Sequence, residues 1–458
     1  MTFAKTIFIP IFLGHQARNI LQTDIFDLLK KDKKTRIVIF TKPVKVDLYR
    51  KKYGADNVFI EGFNYEAVGK LEGLLQNLCL IGVDVETVKR RQLRDLYSGG
   101  SHVLYLTKRL LTKAFGKIKL LQKLLRQIDY LFLYNDTPEK FFKKYRPDLV
   151  FCPHVLARFD LLFLKTSKKF GVKSIAVVNS WDNLSSRGMM RFFPDHLIVH
   201  NEVIRKEAIS LNGYPENRIS VVGIPHFDYY TSDERSSRED FYNRVKIPPD
   251  KEIILFCPAG SRMNDTEWQV IKMLDDAIKE GKINFLAHML VRQPPNADMV
   301  MGELKGSENT TFDRMSHKFE TGDSNDWEWT KDDMIHLADS LYYSKMVINY
   351  ASTMTIDAAA FNKPVINIVF DGWEKKNKKD SFSWFYYNRT HYKNASDTGG
   401  IRHVYSIDQL IRAINDYYLN PNLDRESRNN IVKQQCWKLD GQSGRRVSEI
   451  IHRLLYSP

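Results

Sequence analysis

The feature that most constrains the fold is a series of short apolar runs, each ended by a polar or small residue. The runs in the first half of the chain are KTIFIPIFL, RIVIFT, DYLFLYN, PDLVFCPH, KSIAVVNS and DHLIVHN. None alternates apolar and polar residues with period two, which is typical of strands buried on both faces. Helix-like segments such as RFDLLFLKTSKKFG separate them. The pattern therefore predicts an α/β fold with a mostly parallel, doubly wound sheet.

The same alternation starts again after a charged stretch near residue 228. A chain of 458 residues that is 43% hydrophobic is long enough for two cores. We predict a first Rossmann-like domain over residues 1–228, a second over 229–435, and a C-terminal helical segment over 436–458. The long polar stretch 294–329 is predicted to be an irregular insertion in the second domain.

The bulk composition excludes several classes of protein. A net charge of +14 favours an anionic partner, but the charge is spread along the chain without a nucleic-acid motif, so nucleic acid is not expected. The four cysteines are far apart, which argues against a zinc site or a disulfide framework. With no 18-residue apolar run and no signal-peptide pattern, we expect a cytoplasmic protein.

The stretch 102–127 differs from the rest because it has seven basic residues and no acid. Its leucines recur at helical spacing, as in a basic amphipathic helix that lies on an anionic membrane. A helix packed on the sheet with a solvated basic face has the same pattern. Both interpretations stay open at this point.

The segment NYASTMTID follows an apolar run and opens a helix-like segment. Ser352 and Thr353 can cap that helix, or they can bind an anion at the carboxyl edge of the sheet. Asp357, one turn further on, can accept a sugar hydroxyl or act as a charge at the helix end.

Two further strand ends of the second domain carry suitable groups. Gly260 permits close backbone approach, and Ser261 and Arg262 can contact phosphate. Arg292 stands at the end of another run, before two prolines. Three strand ends at one edge suit a nucleotide monophosphate or diphosphate. Since GxxxxGK[ST] and GxGxxG are both absent, neither a Walker ATPase nor an ordinary NAD enzyme is supported.

Several motifs together point to a family. They are INYASTMTIDAAAFNKPVINIVFD, VVGIPHFDYY, VRQPPN, LDGQSGRRVSEII and SWDNLSSRG. In these segments the chain resembles the GT-B glycosyltransferase superfamily, in its bacterial surface-polysaccharide branch near the CDP-glycerol glycerophosphotransferases and capsule-type transferases. The resemblance covers both halves and is weakest in the first hundred residues.

This resemblance implies two Rossmann domains facing across a cleft, with the final helix crossing back to the first domain. It implies a nucleotide-sugar donor on the second domain and a glycan or glycolipid acceptor on the first. The donor-binding residues would be Gly260, Ser261, Arg262, Arg292, Ser352, Thr353 and Asp357. No cofactor or metal is expected, because helix N-termini and arginine can stabilise the leaving phosphate.

An inverting transferase needs a base for the acceptor hydroxyl. His15, at the end of the first apolar run, is the first candidate, and the alternative is that it hydrogen bonds to its own loop. Asp182, in NSWDNLSSRG, is the second candidate.

Other polar residues at these strand ends are predicted to bind the acceptor. Trp181 offers a stacking face, Asn183 a hydrogen-bond donor and Arg187 a cation, unless the segment is a capped turn with a buried tryptophan. Arg18 and Asn19 can bind an anionic acceptor or cap the following helix.

The predicted function is transfer of a sugar from an activated nucleotide to a bacterial surface glycan, such as a capsule or an O-antigen. Two alternatives remain: a UDP-sugar 2-epimerase of the same fold, and a polyol-phosphate transferase of the CDP-glycerol type. A polysaccharide-binding protein that has lost the chemistry is a non-enzymatic possibility.

Overall fold

The chain forms two compact units. The computed structural model describes residues 3–64, 69–261, 263–295, 298–304, 307–314, 317–318, 327–373 and 376–456. Unit 1 comprises Met1–Leu96, Gly100–Asp228 and Trp437–Pro458, and unit 2 comprises Tyr97–Gly99 and Tyr229–Cys436.

Unit 1 is built on a seven-stranded sheet. Its strands are β1 (Lys5–Pro10), β2 (Thr35–Thr41), β3 (Val58–Gly62), β4 (Leu149–Cys152), β5 (Lys173–Val177), β6 (His196–Val199) and β7 (Ile219–Val221). Their order is β3-β2-β1-β4-β5-β6-β7, and every pairing is parallel. This is the doubly wound order, in which the direction of winding reverses between β1 and β4.

Helices cover the sheet of unit 1. They are α1 (Gly14–Leu21), α2 (Asp24–Lys31), α3 (Val46–Tyr53), α4 (Lys70–Leu80), α5 (Glu86–Tyr97), α6 (His102–Lys117), α7 (Lys119–Phe132), α8 (Glu139–Tyr145), α9 (Arg158–Phe170), α10 (Asn183–Ser186) and α11 (Glu202–Asn212). Both faces of β1 are buried: Ile7 and Ile9 belong to one core cluster and Phe8 to the other. Burial on both faces explains why the apolar runs do not alternate.

Unit 2 repeats this plan with a six-stranded sheet. Its strands are β8 (Glu252–Cys257), β9 (Ala287–Arg292), β10 (Thr310–Asp313), β13 (Ser344–Asn349), β14 (Val365–Ile368) and β15 (Arg402–Val404), in the order β10-β9-β8-β13-β14-β15. All pairings are parallel. The winding reverses between β8 and β13. A separate antiparallel pair joins β11 (His317–Lys318) and β12 (Trp327–Glu328).

The helices of unit 2 follow its strands. They are α12 (Arg238–Val245), α13 (Glu267–Lys279), α14 (Lys331–Tyr343), α15 (Met354–Ala360), α16 (Phe382–Tyr386), α17 (Thr390–Ser396), α18 (Ile407–Leu419) and α19 (Arg425–Ile431). Short 3-10 helices span Pro43–Lys45, Glu216–Arg218 and Pro225–Tyr230, and a π-helical turn spans Val432–Cys436. The predicted class, two Rossmann-like α/β units, is confirmed.

The last helix, α20 (Ser443–Tyr456), returns to unit 1 as predicted. Val447 and Ile451 are buried in the same core cluster as Ile25 of α2. Asp228 accepts hydrogen bonds from the backbone N–H groups at the start of α20, at 2.8 Å from Gly444. A Cβ at Gly444 would lie 3.2 Å from Asp24 Cβ, so glycine allows α2 and α20 to approach closely.

One predicted strand is wrong. The run DYLFLYN was expected to be extended, but α7 continues to Phe132. Asp129 is fully buried one turn after Leu125, and it pairs with Lys165 at 3.0 Å and with Arg191 at 2.7 Å. These ion pairs favour a helix in this segment. A short apolar run does not by itself distinguish a strand from a helix.

The expectation of an irregular insertion at 294–329 is wrong in part. Within the described residues of this stretch, β10 extends the sheet by pairing with β9, and Asp313 lies in register with Arg292. Threonine-rich TTFD has strand propensity, which its polar surroundings obscure.

No helix in the described part of the chain combines the length and the apolar character that crossing a membrane requires.

The docking of α20 yields a stability prediction. Ile451→Ala should lower the free energy of unfolding by about 2–5 kcal/mol, because it leaves a cavity at a fully buried position. Urea unfolding followed by circular dichroism measures this change. Glu449→Ala on the exposed face is the control and should change the value by less than about 0.5 kcal/mol. Equal stability of both variants would show that α20 adds nothing to unit 1.

Candidate functional site

At the carboxyl edge of the unit 1 sheet, two histidines meet where the winding reverses. His15 lies in the first turn of α1, after β1, and His154 follows β4. Their ring centroids are 5.9 Å apart. The crevice at such a reversal is where doubly wound folds bind ligands, because the loops on its two sides diverge.

A buried network fixes both histidine loops. The Gln16 Oε1 atom accepts hydrogen bonds from the backbone N–H groups of Phe12 and Leu13, at 2.8 and 3.0 Å. Gln16 Nε2 donates to Asp160 Oδ2 at 2.7 Å, and the backbone N–H of His154 donates to Asp160 Oδ1 at 2.9 Å. Burial raises the pKa of Asp160 to about 8, while these two donors oppose the shift. Gln16 and Asp160 were not predicted from the sequence.

The environment of His15 keeps its imidazole neutral. Burial lowers the pKa of His15 to about 3, and the positive charges of Arg18 and Arg187 add to the shift. The carboxylate of Asp182 acts in the opposite direction. The structure therefore brings His15, Arg18, Asp182 and Arg187 into one electrostatic cluster that disfavours protonation of the imidazole.

Arg18 and Asn19 connect α1 to neighbouring loops. Arg18 Nη2 lies 3.3 Å from His226 Nε2, and Arg18 Nε donates to Asn19 Oδ1 at 2.9 Å. Asn19 Nδ2 donates to Asn179 Oδ1 at 2.7 Å. Burial and the charge of Arg18 also lower the pKa of His200, to about 4. Asn19 is buried, so its side chain serves this network rather than an open surface.

The predicted site residues in the turn after β5 differ in their burial and in their hydrogen-bond partners. Trp181 is only 9% exposed, so the open stacking face predicted for it is not present in this structure. Asn183 is buried and its Oδ1 accepts the backbone N–H of Ser180 at 3.1 Å. Asp182 accepts a hydrogen bond from Ser186 Oγ at 2.9 Å. Arg187 is exposed. The alternative of a buried tryptophan thus accounts for Trp181, and Asn183 bonds within the turn, although no side chain caps α10.

In unit 2, the turn after β8 uses its own backbone donors internally. Gly260 has a φ of +87°, a conformation that favours glycine. The N–H groups of Ala259 and Gly260 both donate to the buried carboxyl group of Glu267, and the N–H of Ser261 donates to Asp298 O at 3.0 Å. The phosphate contact predicted for this backbone would therefore have to displace existing bonds. Arg262 lies outside the described residues.

Burial raises the pKa of Glu267 to about 7, and the two N–H donors oppose the shift. Sequence reasoning missed Glu267. The signal was an acidic residue at the start of a helix that follows a glycine turn.

The ends of β9 and β13 carry buried hydrogen-bonding groups without partners. Arg292 is 7% exposed, and its Nη1 has no hydrogen-bond partner among the described residues. Its guanidinium lies over the Trp329 ring, at 5.4 Å from the centroid. Beyond β13, the hydroxyl groups of Tyr350 and Ser352 are likewise buried and without partners in the described chain. Such groups are costly to leave unpaired, at about 1–3 kcal/mol each.

The register of the strands places Arg292 on one side of β8, and Tyr350 and Ser352 on the other. Phe256 pairs with Val291, and Cys257 pairs with Asn349. Arg292 and Asn349 therefore stand at the same level of the sheet, one strand away from β8 on either side. Neighbouring strands are about 4.8 Å apart, so the two backbones are separated by about 10 Å.

Thr353 and Asp357 have different surroundings from these groups. Thr353 is exposed, and its side chain makes no cap hydrogen bond to α15, so the capping alternative does not hold for it. Asp357 is buried and accepts a hydrogen bond from the Tyr230 hydroxyl at 2.5 Å. The structure thus gives Asp357 a protein partner that the sequence did not indicate.

Below this edge lies a buried polar network that was also missed. Asn349 and Asn367 are in register on β13 and β14, and the Asn367 amide donates to the Asn349 oxygen. Thr355 Oγ1 donates to Asn349 Oδ1 at 3.2 Å, and Tyr392 donates to Asn367 Oδ1 at 2.7 Å. The signal in the sequence was an asparagine at the same place in the apolar runs VINY and VINI. The network ties the turn after β13 to the sheet.

In the part of the chain that the structure describes, no group of three or more histidine, cysteine, aspartate or glutamate side chains could hold a metal ion.

The sequence matches no protein-family profile and no curated protein. Solved structures are similar in fold across both units. UDP-GlcNAc 2-epimerase from Neisseria meningitidis, bound to UDP-GlcNAc, is 11% identical, with a TM-score of 0.56 over 98% of this chain and 100% of that one. A glycosyltransferase from Rickettsia africae is 13% identical, with a TM-score of 0.51 over 99% of each chain. The wall teichoic acid polymerase TagF is 12% identical, with a TM-score of 0.52 over 98% of this chain and 88% of that one.

At these identities the similarity establishes the fold. The two Rossmann-like units and their parallel sheets are those of structures that include epimerases, glycosyltransferases and a polymerase.

The network around Asp160 yields a second prediction. Asp160→Ala should lower the free energy of unfolding by about 2 kcal/mol, because it leaves the amide of Gln16 and the N–H of His154 buried without an acceptor. Chemical unfolding of the whole chain measures the change. Asp47→Ala, at a side chain that is 96% exposed, is the matched control and should be nearly neutral. If the two variants were equally stable, the network would not be what holds the two histidine loops.

Proposed function

We propose that the chain is a nucleotide-sugar-dependent glycosyltransferase, with the donor bound at the carboxyl edge of unit 2 and the acceptor at the carboxyl edge of unit 1. The observation that carries the proposal is the set of buried groups of Arg292, Tyr350 and Ser352 that have no hydrogen-bond partner among the described residues, around the reversal between β8 and β13. The fold similarity to a structure bound to UDP-GlcNAc supports a nucleotide sugar as the ligand class.

The donor phosphates supply what these groups lack. Phosphate oxygens are strong acceptors, and arginine binds them with charge-assisted hydrogen bonds. A guanidinium held in a buried place also stabilises the negative charge that develops on the leaving nucleotide. Ser352 and Thr353 would contact the phosphates from the β13 side. Gly260, Ser261 and Arg262 remain proposed phosphate contacts from the β8 side. Asp357, which accepts a hydrogen bond from Tyr230, remains a proposed donor-binding residue.

On unit 1, His15 is the proposed base and Asp182 the alternative. A neutral imidazole can take the proton of an acceptor hydroxyl as the new bond forms. Burial is the largest cause of the low pKa of His15, and the cations Arg18 and Arg187 lower it further. An anionic acceptor that neutralises these cations would raise that pKa and make His15 a stronger base. This favours an acceptor that carries phosphate or carboxylate groups.

The acceptor class is a bacterial surface glycan or its lipid-linked precursor, as the resemblance of the sequence motifs implies. Arg18 and Arg187 would bind its anionic part. Asn19, Trp181 and Asn183 would position the groups that line the acceptor site, since all three are buried. The proposed location is the cytoplasm, where nucleotide sugars are made.

A UDP-sugar 2-epimerase is the second candidate, favoured by the similarity to the epimerase from Neisseria meningitidis over the whole of that chain. It would convert the nucleotide sugar without any acceptor. Incubation with UDP-GlcNAc alone, followed by separation of the C2 epimers, distinguishes the two. An epimer formed without acceptor would replace the transferase proposal.

A polyol-phosphate transferase is the third candidate, favoured by the similarity to TagF. Its donor would be CDP-glycerol rather than a nucleotide sugar. Release of CMP from CDP-glycerol, but of no nucleotide from nucleotide sugars, would select it.

The donor site can be tested by ligand-induced stabilisation. CMP, CDP, UDP, GDP and their sugars are screened by thermal shift, and a nucleotide at one hundred times its dissociation constant should stabilise the chain by about 2.7 kcal/mol. Arg292→Met should remove the shift, because it deletes the charge while retaining an apolar stem. Arg412→Met, an exposed arginine of the same unit, should retain it. An unchanged shift in Arg292→Met would place the nucleotide elsewhere.

The base can be tested once a donor is known. His15→Ala should reduce transfer by about 100- to 10,000-fold without changing the thermal shift by the nucleotide, since a base contributes to the chemical step only. Asp182→Asn tests the alternative in the same assay. His196→Gln, at the amino end of β6, is the control. Full activity in both the His15 and the Asp182 variant would overturn the catalytic assignment.

A further inference from the structure

Helices α6 and α7 of unit 1 have an inverted distribution of polarity. On α7 the buried positions are Gln122, Leu125 and Asp129, at i, i+3 and i+7. The buried position of α6 is Thr112, which accepts a hydrogen bond from Gln92 Nε2 at 2.9 Å. Three of these four buried positions are therefore polar.

These inward polar groups have partners within unit 1. Gln122 Nε2 donates to Gly82 O and to Leu211 O, both at 2.9 Å. Asp129 pairs with Lys165 and Arg191. Hydrogen bonds and ion pairs thus hold the two helices on unit 1, together with apolar contacts of Leu125 and the half-buried Phe115.

The outward faces carry the large apolar side chains. On α6, Val103, Leu106 and Leu110 are 74%, 59% and 69% exposed. On α7, Leu120 and Leu131 are 71% and 70% exposed. Their spacing of three, four, seven or eleven residues puts them on one side of each helix. Large apolar side chains concentrated in this way on a surface mark an interaction site.

The basic residues of the stretch divide into two groups. Four are used within unit 1: Lys108 pairs with Asp95, Arg109 with Asp84, Lys119 donates to Leu211 O, and the Arg126 guanidinium lies 4.1 Å from the centroid of Phe193.

The other three, Lys113, Lys117 and Lys123, are exposed. Lys113 and Lys117 continue the line of Val103, Leu106 and Leu110 along α6, and Lys123 lies beside the exposed stripe of α7.

We propose that this outward surface binds an anionic lipid membrane. We name it the lysine–leucine face and define it by the residues Val103, Leu106, Leu110, Lys113, Lys117, Leu120, Lys123, Leu124 and Leu131. The apolar side chains enter the boundary between headgroups and acyl chains, while the lysine ammonium groups contact lipid phosphates. The proposal rests on unit 1 alone and does not depend on the proposed reaction.

Charge decides between a membrane and a second copy of the chain. Residues 102–128 contain no acidic residue. A symmetric contact between two copies would bring the same lysines together, and like charges across an interface are unfavourable. An anionic membrane offers the complementary charge, at about 1 kcal/mol for each lysine, or about fivefold in binding.

The test is co-sedimentation of the whole chain with vesicles at about 0.1 M salt, where surface charges still act over about 10 Å. One vesicle type contains equal parts of phosphatidylcholine and phosphatidylglycerol, and the other contains phosphatidylcholine alone. The chain should sediment with the anionic vesicles and remain in solution with the neutral ones. Binding should weaken as the salt is raised.

Two sets of variants separate the contributions. Lys113→Gln, Lys117→Gln and Lys123→Gln together should reduce vesicle binding by about 100-fold. The matched control has the same charge change at three exposed lysines elsewhere in unit 1, Lys33→Gln, Lys51→Gln and Lys206→Gln, and should bind as the parent does. Leu106→Gln with Leu110→Gln should also weaken binding, with an unchanged melting temperature because both side chains are exposed.

Three results would overturn the proposal. The first is a chain that stays in solution with anionic vesicles. The second is an equal loss of binding in the control lysine variant, which would mean that only net charge matters. The third is a parent dimer in sedimentation velocity that the leucine variants dissociate, which would make the face a contact between copies.

Discussion

The order of the strands is the constraint on which both candidate edges depend. In each sheet the winding reverses once, between β1 and β4 in unit 1 and between β8 and β13 in unit 2. At a reversal the loops diverge and leave a crevice at the carboxyl ends of the strands. His15 and His154 stand at the first reversal, and Gly260 and Ser352 at the second. Topology thus selects these residues before any chemistry is considered.

The two edges differ in how their polar groups are satisfied. Around His15 the side chains bond to one another, and burial and nearby cations keep the imidazole neutral. Around β8, groups of Arg292, Tyr350 and Ser352 are buried without hydrogen-bond partners among the described residues, while Glu267 occupies the backbone donors of the adjacent turn. The first edge thus has polar groups that bond within the protein, and the second has buried groups that lack hydrogen-bond partners in the described chain. This division is the basis of the proposed transferase.

Most of the fold could be predicted from the sequence, because strands buried on both faces leave uninterrupted apolar runs. DYLFLYN was one exception, since Asp129 is held in a helix by Lys165 and Arg191, which are distant in sequence. The sequence also predicted that the candidate residues lie at strand ends. Their partners were not predicted: an acidic residue at the start of α13 was the one local signal that Glu267 binds the Gly260 turn, and nothing local indicates that Tyr230 binds Asp357. Such contacts depend on tertiary structure.

The central claim is that the edge of unit 2 binds the nucleotide of the donor. Hydrogen–deuterium exchange, with and without the nucleoside diphosphate that stabilises the chain, locates the ligand most directly. We expect slower exchange in the segments that end β9 and that follow β13, at residues 287–292 and 349–357, with unit 1 unchanged by the nucleotide alone. Protection confined to the His15 and His154 loops of unit 1 would contradict this claim.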